Sequence, residues 1–145
     1  MTKQSNELLN CCLYFTANSL ARSISRMAEV EFGRLGMTPS HAFLLMVAID
    51  EPGISQKDLA DRLHLAQSTV SRFVDALVLR GFVEKKVSGK ISHVYPTAKG
   101  EGQMEDMRSA WKALYDRYSE ILGEEEGKAL TALAGEAHQK LEEPE

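Results

Sequence analysis

The sequence lacks the features that disulfide-stapled, membrane-spanning and secreted proteins require. Its two cysteines, Cys11 and Cys12, are adjacent and have no other cysteine to pair with, so the chain has no disulfide framework. The longest unbroken apolar run, Ala42 to Ile49, is eight residues and too short to cross a bilayer. The first ten residues show neither the charged start nor the apolar stretch of a secretion signal. We therefore expect a cytoplasmic protein.

Catalytic and cofactor-binding motifs are absent as well. The sequence contains no glycine-rich phosphate loop, no G-x-S-x-G and no H-E-x-x-H. The histidines lack the spacing of metal ligands, and such residues are more often packing or solvated side chains; they are His41, His64, His93 and His138. We expect no enzyme activity, no cofactor and no metal; a cluster of the histidines in space is the alternative, because sequence distance does not exclude it. The hydrophobic content of 43% still provides a core, so the chain is expected to fold as a single protomer over residues 1–145.

Positive charge is concentrated in residues 55–100. This stretch contains eight Lys or Arg and four Asp or Glu, which gives a net charge of +4. The whole chain carries −4, so the remainder carries −8. A phosphate backbone responds to the local field of a basic lobe, and the distribution therefore favours nucleic-acid binding.

Two short helices around the turn His64-Leu65-Ala66 predict a helix-turn-helix. Ser55 is a good N-cap for the first helix. The second is predicted over residues 67–80 and ends at Gly81. Helical spacing puts apolar and polar side chains on its opposite faces; these are Val70, Phe73, Val74 and Leu77 on one face, and Ser68, Ser71, Arg72 and Asp75 on the other. The first face is expected to pack and the second to contact a polar partner.

A basic hairpin follows these helices. Two β-prone runs, residues 82–86 and 91–95, flank a turn that contains Ser88-Gly89. Positive charge lies along this hairpin at Lys85, Lys86 and Lys90. Lysines also protect edge strands from aggregation, but beside the helix pair we favour a role in DNA binding. Residues 38–100, which begin with a buried helix capped at Thr38-Pro39, thus predict a winged helix-turn-helix DNA-binding lobe.

Long helices flank this lobe. A first helical segment is predicted from residue 5 to about 33. The last third continues an apolar seam from Met104 to Ile121, is interrupted at Gly123 to Gly127, and resumes on a final helix. A chain of this size needs a partner subunit to cover such helices. We therefore expect a homodimer, with residues 5–33 and 101–141 as its dimerisation region.

The order of these elements resembles the MarR family of bacterial transcriptional regulators. The resemblance is sharpest from Leu35 to Gly102, in LGMTPSHAFLLMVAIDEPGISQKDLADRLHLAQSTVSRFVDALVLRGFVEKK and in the Thr97-Ala98-Lys99-Gly100 that begins the long helix. It implies a mainly α fold with a β-hairpin wing, in which terminal helices of two subunits interlock and a winged lobe hangs at either side. The sequence departs from the family pattern in two places. Ala66 stands where an acidic cap is common, and the short wing lacks the Asp-x-Arg whose arginine enters the minor groove.

The resemblance and the polar helix face together imply a repressor that binds an inverted-repeat operator in double-stranded DNA as a homodimer. The helix at 67–80 is expected in the major groove, where Arg pairs best with guanine and Gln with adenine. The wing at 85–94 is expected on the adjacent backbone or minor groove. The candidate DNA-binding residues are Gln67, Ser68, Thr69, Ser71, Arg72, Lys85, Lys86, Lys90 and His93. An ion pair of Arg72 with Asp75 is the competing interpretation of that arginine.

The controlling signal has two interpretations. By analogy with the family, a small aromatic or lipophilic effector would bind between the dimerisation region and the DNA-binding lobe and lower operator affinity. Alternatively, Cys11 and Cys12 lie in a run that resembles the start of the organic-peroxide-sensing branch, with Cys11 at the reactive position but the assisting tyrosines unmatched. A winged-helix module that binds proteins and not DNA is a further alternative of a different class.

Overall fold

The computed structural model describes residues 3–143, which form eight helices and three short strands. In chain order these are α1 (Lys3–Asn10), α2 (Leu13–Gly33), α3 (Pro39–Asp50), β1 (Ile54–Ser55), α4 (Gln56–Leu63), α5 (Gln67–Leu79), β2 (Val83–Ser88), β3 (Ile91–Pro96), α6 (Ala98–Glu101), α7 (Met104–Leu122) and α8 (Glu124–Glu142). The mainly α fold class predicted from the sequence is confirmed.

The helices of the winged lobe begin where the sequence provides caps. The Thr38 hydroxyl accepts a hydrogen bond of 3.1 Å from the His41 backbone N–H and opens α3, with Pro39 in its first turn. The Ser55 hydroxyl does the same for α4, accepting from the Asp58 N–H at 3.1 Å. At the end of α4, His64 adopts a left-handed conformation with φ 55° and starts the turn into α5. The predicted helix-turn-helix is therefore present, with its second helix ending one residue earlier than predicted.

The wing belongs to a three-stranded antiparallel sheet in the order β1-β3-β2. Val94 of β3 lies at its centre, opposite Ile54 of β1 and Lys85 of β2. The sequence predicted β2 and β3 but not β1, because two residues are too few to show an alternating pattern. Only Gly89 and Lys90 lie between the strands of the hairpin, and Gly89 has φ 65°, a conformation that suits glycine in a two-residue turn.

The core of the lobe draws on α2 to α5, the sheet and the start of α7. Its largest fully buried side chains are Phe32, Leu44, Leu45, Leu59, Leu77, Met107, Val70, Val74, Val83 and Val94. Gly100 of α6 lies so close to the Phe82 carbonyl oxygen that a β-carbon at this position would overlap it. The long helix α7 thus leaves the lobe from a tightly packed junction.

The terminal helices differ from the prediction at two breaks. The first helical segment is not continuous, because Cys12 adopts an extended conformation with φ −93° and ψ 116° between α1 and α2. No glycine or proline marks that break in the sequence. The predicted interruption at Gly123 to Gly127 was too long: only Gly123, with φ 97°, lies outside a helix. The three glutamates that follow it occupy the first turn of α8, where the helix dipole favours negative charge.

The terminal helices carry much exposed apolar surface. Large apolar side chains that are at least one-third exposed include Leu13, Tyr14, Leu20, Trp111, Ile121, Leu133 and Leu141. Large apolar side chains exposed on the same helices make these helices candidates for an interaction site. None of the helices formed by residues 3–143 combines the length and apolar character needed to cross a bilayer.

Candidate nucleic-acid interface

Helix α5 presents a polar face because its apolar face forms part of the core. Val70, Val74 and Leu77 are fully buried, whereas Arg72 is exposed on the opposite side. The other predicted contact residues lie around Arg72: Gln67 and Ser68 are exposed, and Thr69 and Ser71 are partly buried. The helical spacing inferred from the sequence therefore agrees with the observed burial.

The Arg72 guanidinium forms no ion pair or hydrogen bond within residues 3–143. Asp75, the partner that the sequence suggested for it, instead accepts a hydrogen bond of 3.0 Å from Lys85 of β2. This pair joins α5 to the wing across ten positions of sequence. Arg72 is consequently a charged donor without a competing internal acceptor.

The amino-terminal end of α5 has no side-chain cap. Ala66 occupies the N-cap position with φ −67° and ψ 147°, and no side chain accepts a hydrogen bond from the first turn. The Thr69 and Val70 N–H groups are bonded to the Ala66 carbonyl at 3.1 Å each. The backbone N–H groups at the very start of a helix have no carbonyl partner within it, so they point outward and favour an anion. The amino-terminal end of α5, at Gln67 and Ser68, therefore adds positive potential to that of Arg72.

The basic residues of the wing differ in how they are held. Lys86 lies 4.7 Å above the centre of the Tyr95 ring. The His93 Nδ1 lies 2.9 Å from the Gly53 carbonyl oxygen, so that ring is partly buried and tied to the turn before β1. Lys90 is exposed at the tip of the hairpin and has no hydrogen bond or ion pair with the rest of the described chain. Lys90 is thus the predicted wing lysine that no internal contact holds among the described residues.

A partly buried histidine connects α3 to α5. The His41 ring packs edge-on against Phe73 of α5, with their ring centres 4.6 Å apart. Burial lowers the pKa of His41, and the positive charge of Arg80 lowers it further. Arg80 is itself held by a hydrogen bond of 2.7 Å to the Gly36 carbonyl. The neutral imidazole is therefore the form that this packing favours.

The two cysteines lie away from this face, at the break between α1 and α2. Both thiols are free and exposed. Cys12 is the N-cap of α2, and its side chain does not cap the helix. The structure thus separates the predicted DNA-contact residues from the predicted redox residues.

Comparison with known proteins identifies the lobe that carries this face. A family model described as "MarR family" matches residues 35–90, the stretch from the start of the lobe to the tip of the wing. The uncharacterized HTH-type transcriptional regulator YybA of Bacillus subtilis is 29% identical over 85 residues. That match covers 57% of this chain and 57% of YybA, so it spans little more than half of either protein. Residues 35–90 of this chain are thus similar to the MarR family.

Solved structures of similar fold cover nearly the whole of this chain. The transcriptional repressor CouR, bound to p-coumaroyl-CoA, aligns with a TM-score of 0.79 at 21% identity, covering 88% of this chain and 91% of CouR. The PcaV transcriptional regulator from Streptomyces coelicolor, in complex with its natural ligand, aligns with a TM-score of 0.76 at 20% identity. That alignment covers 90% of this chain and 97% of PcaV. At these identities the likeness concerns the fold.

Proposed function

We propose that this chain is a MarR-family transcriptional repressor that binds an inverted-repeat operator sequence-specifically as a homodimer. The observation that carries the proposal is the exposed face of α5, on which Arg72 has no internal partner among the described residues. A helix fits the major groove, where a free guanidinium can donate two hydrogen bonds to guanine O6 and N7. We assign Arg72 this role, with Gln67, Ser68, Thr69 and Ser71 as base or nearby phosphate contacts.

The wing contributes charge more than sequence recognition. Lys90 at the tip is positioned for a phosphate or the minor groove, and Lys86 extends the basic surface along β2. Lys85 is partly neutralised by Asp75 and acts as a support between the wing and α5. His93 retains one ring nitrogen for an outside contact, because the other lies against Gly53. Because the wing has no arginine to enter the minor groove, we assign the base contacts to α5.

Dimerisation is proposed from the exposed apolar surface of the terminal helices, in the predicted regions 5–33 and 101–141. Leu13 and Tyr14 are 68% and 80% exposed, and Ile121 is 70% exposed. Covering such side chains with a second copy removes apolar area from water. Two-fold symmetry then sets paired recognition helices about 34–36 Å apart, the repeat of one DNA turn, which requires an inverted repeat.

The proposal is tested by selecting the duplexes that the protein binds from random or genomic DNA and footprinting the selected sequence. Sedimentation velocity of the complex gives the number of protein chains per duplex. We expect a palindromic site occupied by one dimer, with affinity that falls steeply as salt rises. Selection of an asymmetric site by a monomer would contradict the dimeric arrangement. No affinity for any duplex at low salt would contradict DNA binding and favour the protein-interaction alternative.

An effector that relieves repression is part of this proposal. CouR was solved with p-coumaroyl-CoA and PcaV with its natural ligand, so similar folds hold ligands. On α7 of this chain, Trp111 and Tyr115 line a hollow of about 360 Å³ together with Arg108 and Lys112. Aromatic rings beside two cations suit a small aromatic molecule, including an acidic one. Trp111 is the only tryptophan, so its fluorescence reports binding directly in a titration with aromatic acids.

Redox control is the second candidate, favoured by the exposure of both thiols at the start of α2. A helix N-terminus stabilises a thiolate, and access allows a peroxide to reach it. Peroxide treatment is expected to lower operator affinity in the wild type but not in Cys11→Ser. Wild-type DNA binding that is unchanged by peroxide would eliminate this candidate.

A further inference from the structure

Two histidines far apart in sequence are in contact where the C-terminal helix reaches the helix-turn-helix. The ring centres of His64 and His138 are 4.4 Å apart, with an angle of 56° between the planes. His64 ends α4 and is the only non-glycine residue in the described chain with positive φ. His138 lies near the end of α8. The contact therefore joins a terminal helix to the turn that precedes α5.

Each helix also brings a carboxylate to this contact. Asp61 lies on α4 three residues before His64, and Glu142 follows His138 by four residues on the same face of α8. All four side chains line one open cavity of about 500 Å³. All four residues are exposed, so their side chains are free to change rotamer. The cavity is thus lined by imidazole and carboxylate groups from two separate elements.

We propose that this cavity, which we call the α4–α8 site, binds a divalent transition-metal ion of the zinc class. Neutral imidazole and carboxylate are ligands that Zn²⁺ accepts in a four-coordinate arrangement, and His64 and His138 already place two imidazoles side by side. Within residues 3–143 no three such groups are already gathered at metal-binding distances. The histidines therefore provide the primary ligands, and Asp61, Glu142 or water completes the shell after a rotamer change.

Binding at the α4–α8 site would cross-link α8 to α4. The turn at His64 leads into α5 after only Leu65 and Ala66, so the ion would restrain the position of the helix that we propose to read DNA. Metal binding itself does not require DNA binding. Failure of one proposal is therefore distinguishable from failure of the other.

The test is a titration of tag-free, EDTA-treated full-length protein with Zn²⁺ by isothermal calorimetry, and with Co²⁺ by visible absorption. We expect one ion per chain and the intense absorption bands of four-coordinate Co²⁺. His64→Asn keeps a residue that tolerates the left-handed conformation, and His138→Gln changes an exposed side chain. Each variant is expected to weaken Zn²⁺ binding by about tenfold or more, since even outer-shell partners typically contribute roughly 10–100-fold.

Glu136→Gln is the matched control, because Glu136 lies on α8 but does not line the cavity. It should bind Zn²⁺ as the wild type does. Circular dichroism in EDTA shows whether each variant retains the fold, so that a loss of binding is not due to unfolding. Absence of stoichiometric Zn²⁺ binding by the wild type would overturn the proposal. Equal Zn²⁺ affinity of wild type, His64→Asn and His138→Gln would overturn it as well.

Discussion

Lys85 on the first strand of the wing hairpin donates a hydrogen bond of 3.0 Å to Asp75 on α5. The contact ties the wing to the helix that we propose to read DNA, and it engages the acidic group nearest in sequence to Arg72 on the polar face of α5. The Arg72 guanidinium is therefore unpaired, because Lys85 of the wing already binds the Asp75 carboxylate. The sequence suggested a local ion pair between Arg72 and Asp75. In the structure Asp75 instead pairs with Lys85, ten positions away in the sequence.

Arg72→Ala is expected to weaken binding to the operator by about 1–3 kcal/mol and to relax sequence preference, because a bidentate base contact is lost. Fluorescence anisotropy at fixed salt, with operator and random duplexes, measures both effects. Arg72→Lys keeps the charge but not the planar fork, so it should restore affinity for random DNA more than for the operator. Equal losses on both duplexes for Arg72→Ala would contradict a base contact.

Lys90→Ala should weaken operator and random duplexes alike. It should also reduce the slope of log affinity against log salt concentration by about one, because one phosphate contact is removed. Lys128→Ala on α8 removes a charge that is remote from the wing in sequence and is paired with Glu124, and it serves as the control. A salt slope unchanged by Lys90→Ala would show that the wing tip does not meet a phosphate.

Asp75→Asn is expected to raise affinity for DNA, because it removes a negative charge from the proposed interface and releases Lys85. The cost in unfolding free energy should stay below about 1 kcal/mol, as for other exposed ion pairs. Asp116→Asn breaks a comparable exposed pair with Lys112 on α7 and should cost similar stability without changing DNA affinity. Urea unfolding and anisotropy separate the two effects. Weaker DNA binding by Asp75→Asn would mean that positioning Lys85 matters more than the removed charge.

The stability of the lobe should depend on pH through His41, whose pKa is lowered by burial and by Arg80. The folded state binds fewer protons at this residue than the unfolded chain, so stability rises with pH between the folded pKa and the ordinary value of 6.5. Acidification through that interval therefore destabilises the protein. Thermal melts of wild type and His41→Gln across this range test the assignment, and the variant should show a shallower dependence. Identical pH profiles for wild type and His41→Gln would show that residues other than His41 cause the pH dependence.

Gly100→Ala should destabilise the junction between the wing and α7 by about 1–3 kcal/mol or more, because the added methyl group meets the Phe82 carbonyl oxygen. Gly33→Ala is the matched control, since a β-carbon on Gly33 would have no neighbouring atom within 4 Å and its φ is not positive. Alanine there should be neutral or stabilising by about 0.5–1 kcal/mol. Denaturant unfolding of both variants measures the difference. A Gly100→Ala protein as stable as Gly33→Ala would show that the backbone can shift at no cost.

Local patterns in the sequence were enough to predict the winged helix-turn-helix. Helical spacing separates Val70 and Val74 from Arg72, and the hydroxyl caps at Thr38 and Ser55 mark where α3 and α4 begin. These features depend on residues within one or two helical turns of each other, so the chain order alone contains them. The break at Cys11–Cys12 was missed because neither residue is a helix breaker by type.

Contacts between distant elements could be decided only by the tertiary structure. Lys85 meets Asp75 because β2 folds back beside α5, and His93 is tied to Gly53 because β1 pairs with β3. His64 meets His138 only because α8 returns to the lobe after α7 has left it. The sequence determined which faces are polar, basic or apolar, since these follow from helix and strand periodicity. Which charged group remains free, and which histidines come together, depends on packing between elements that no local pattern encodes.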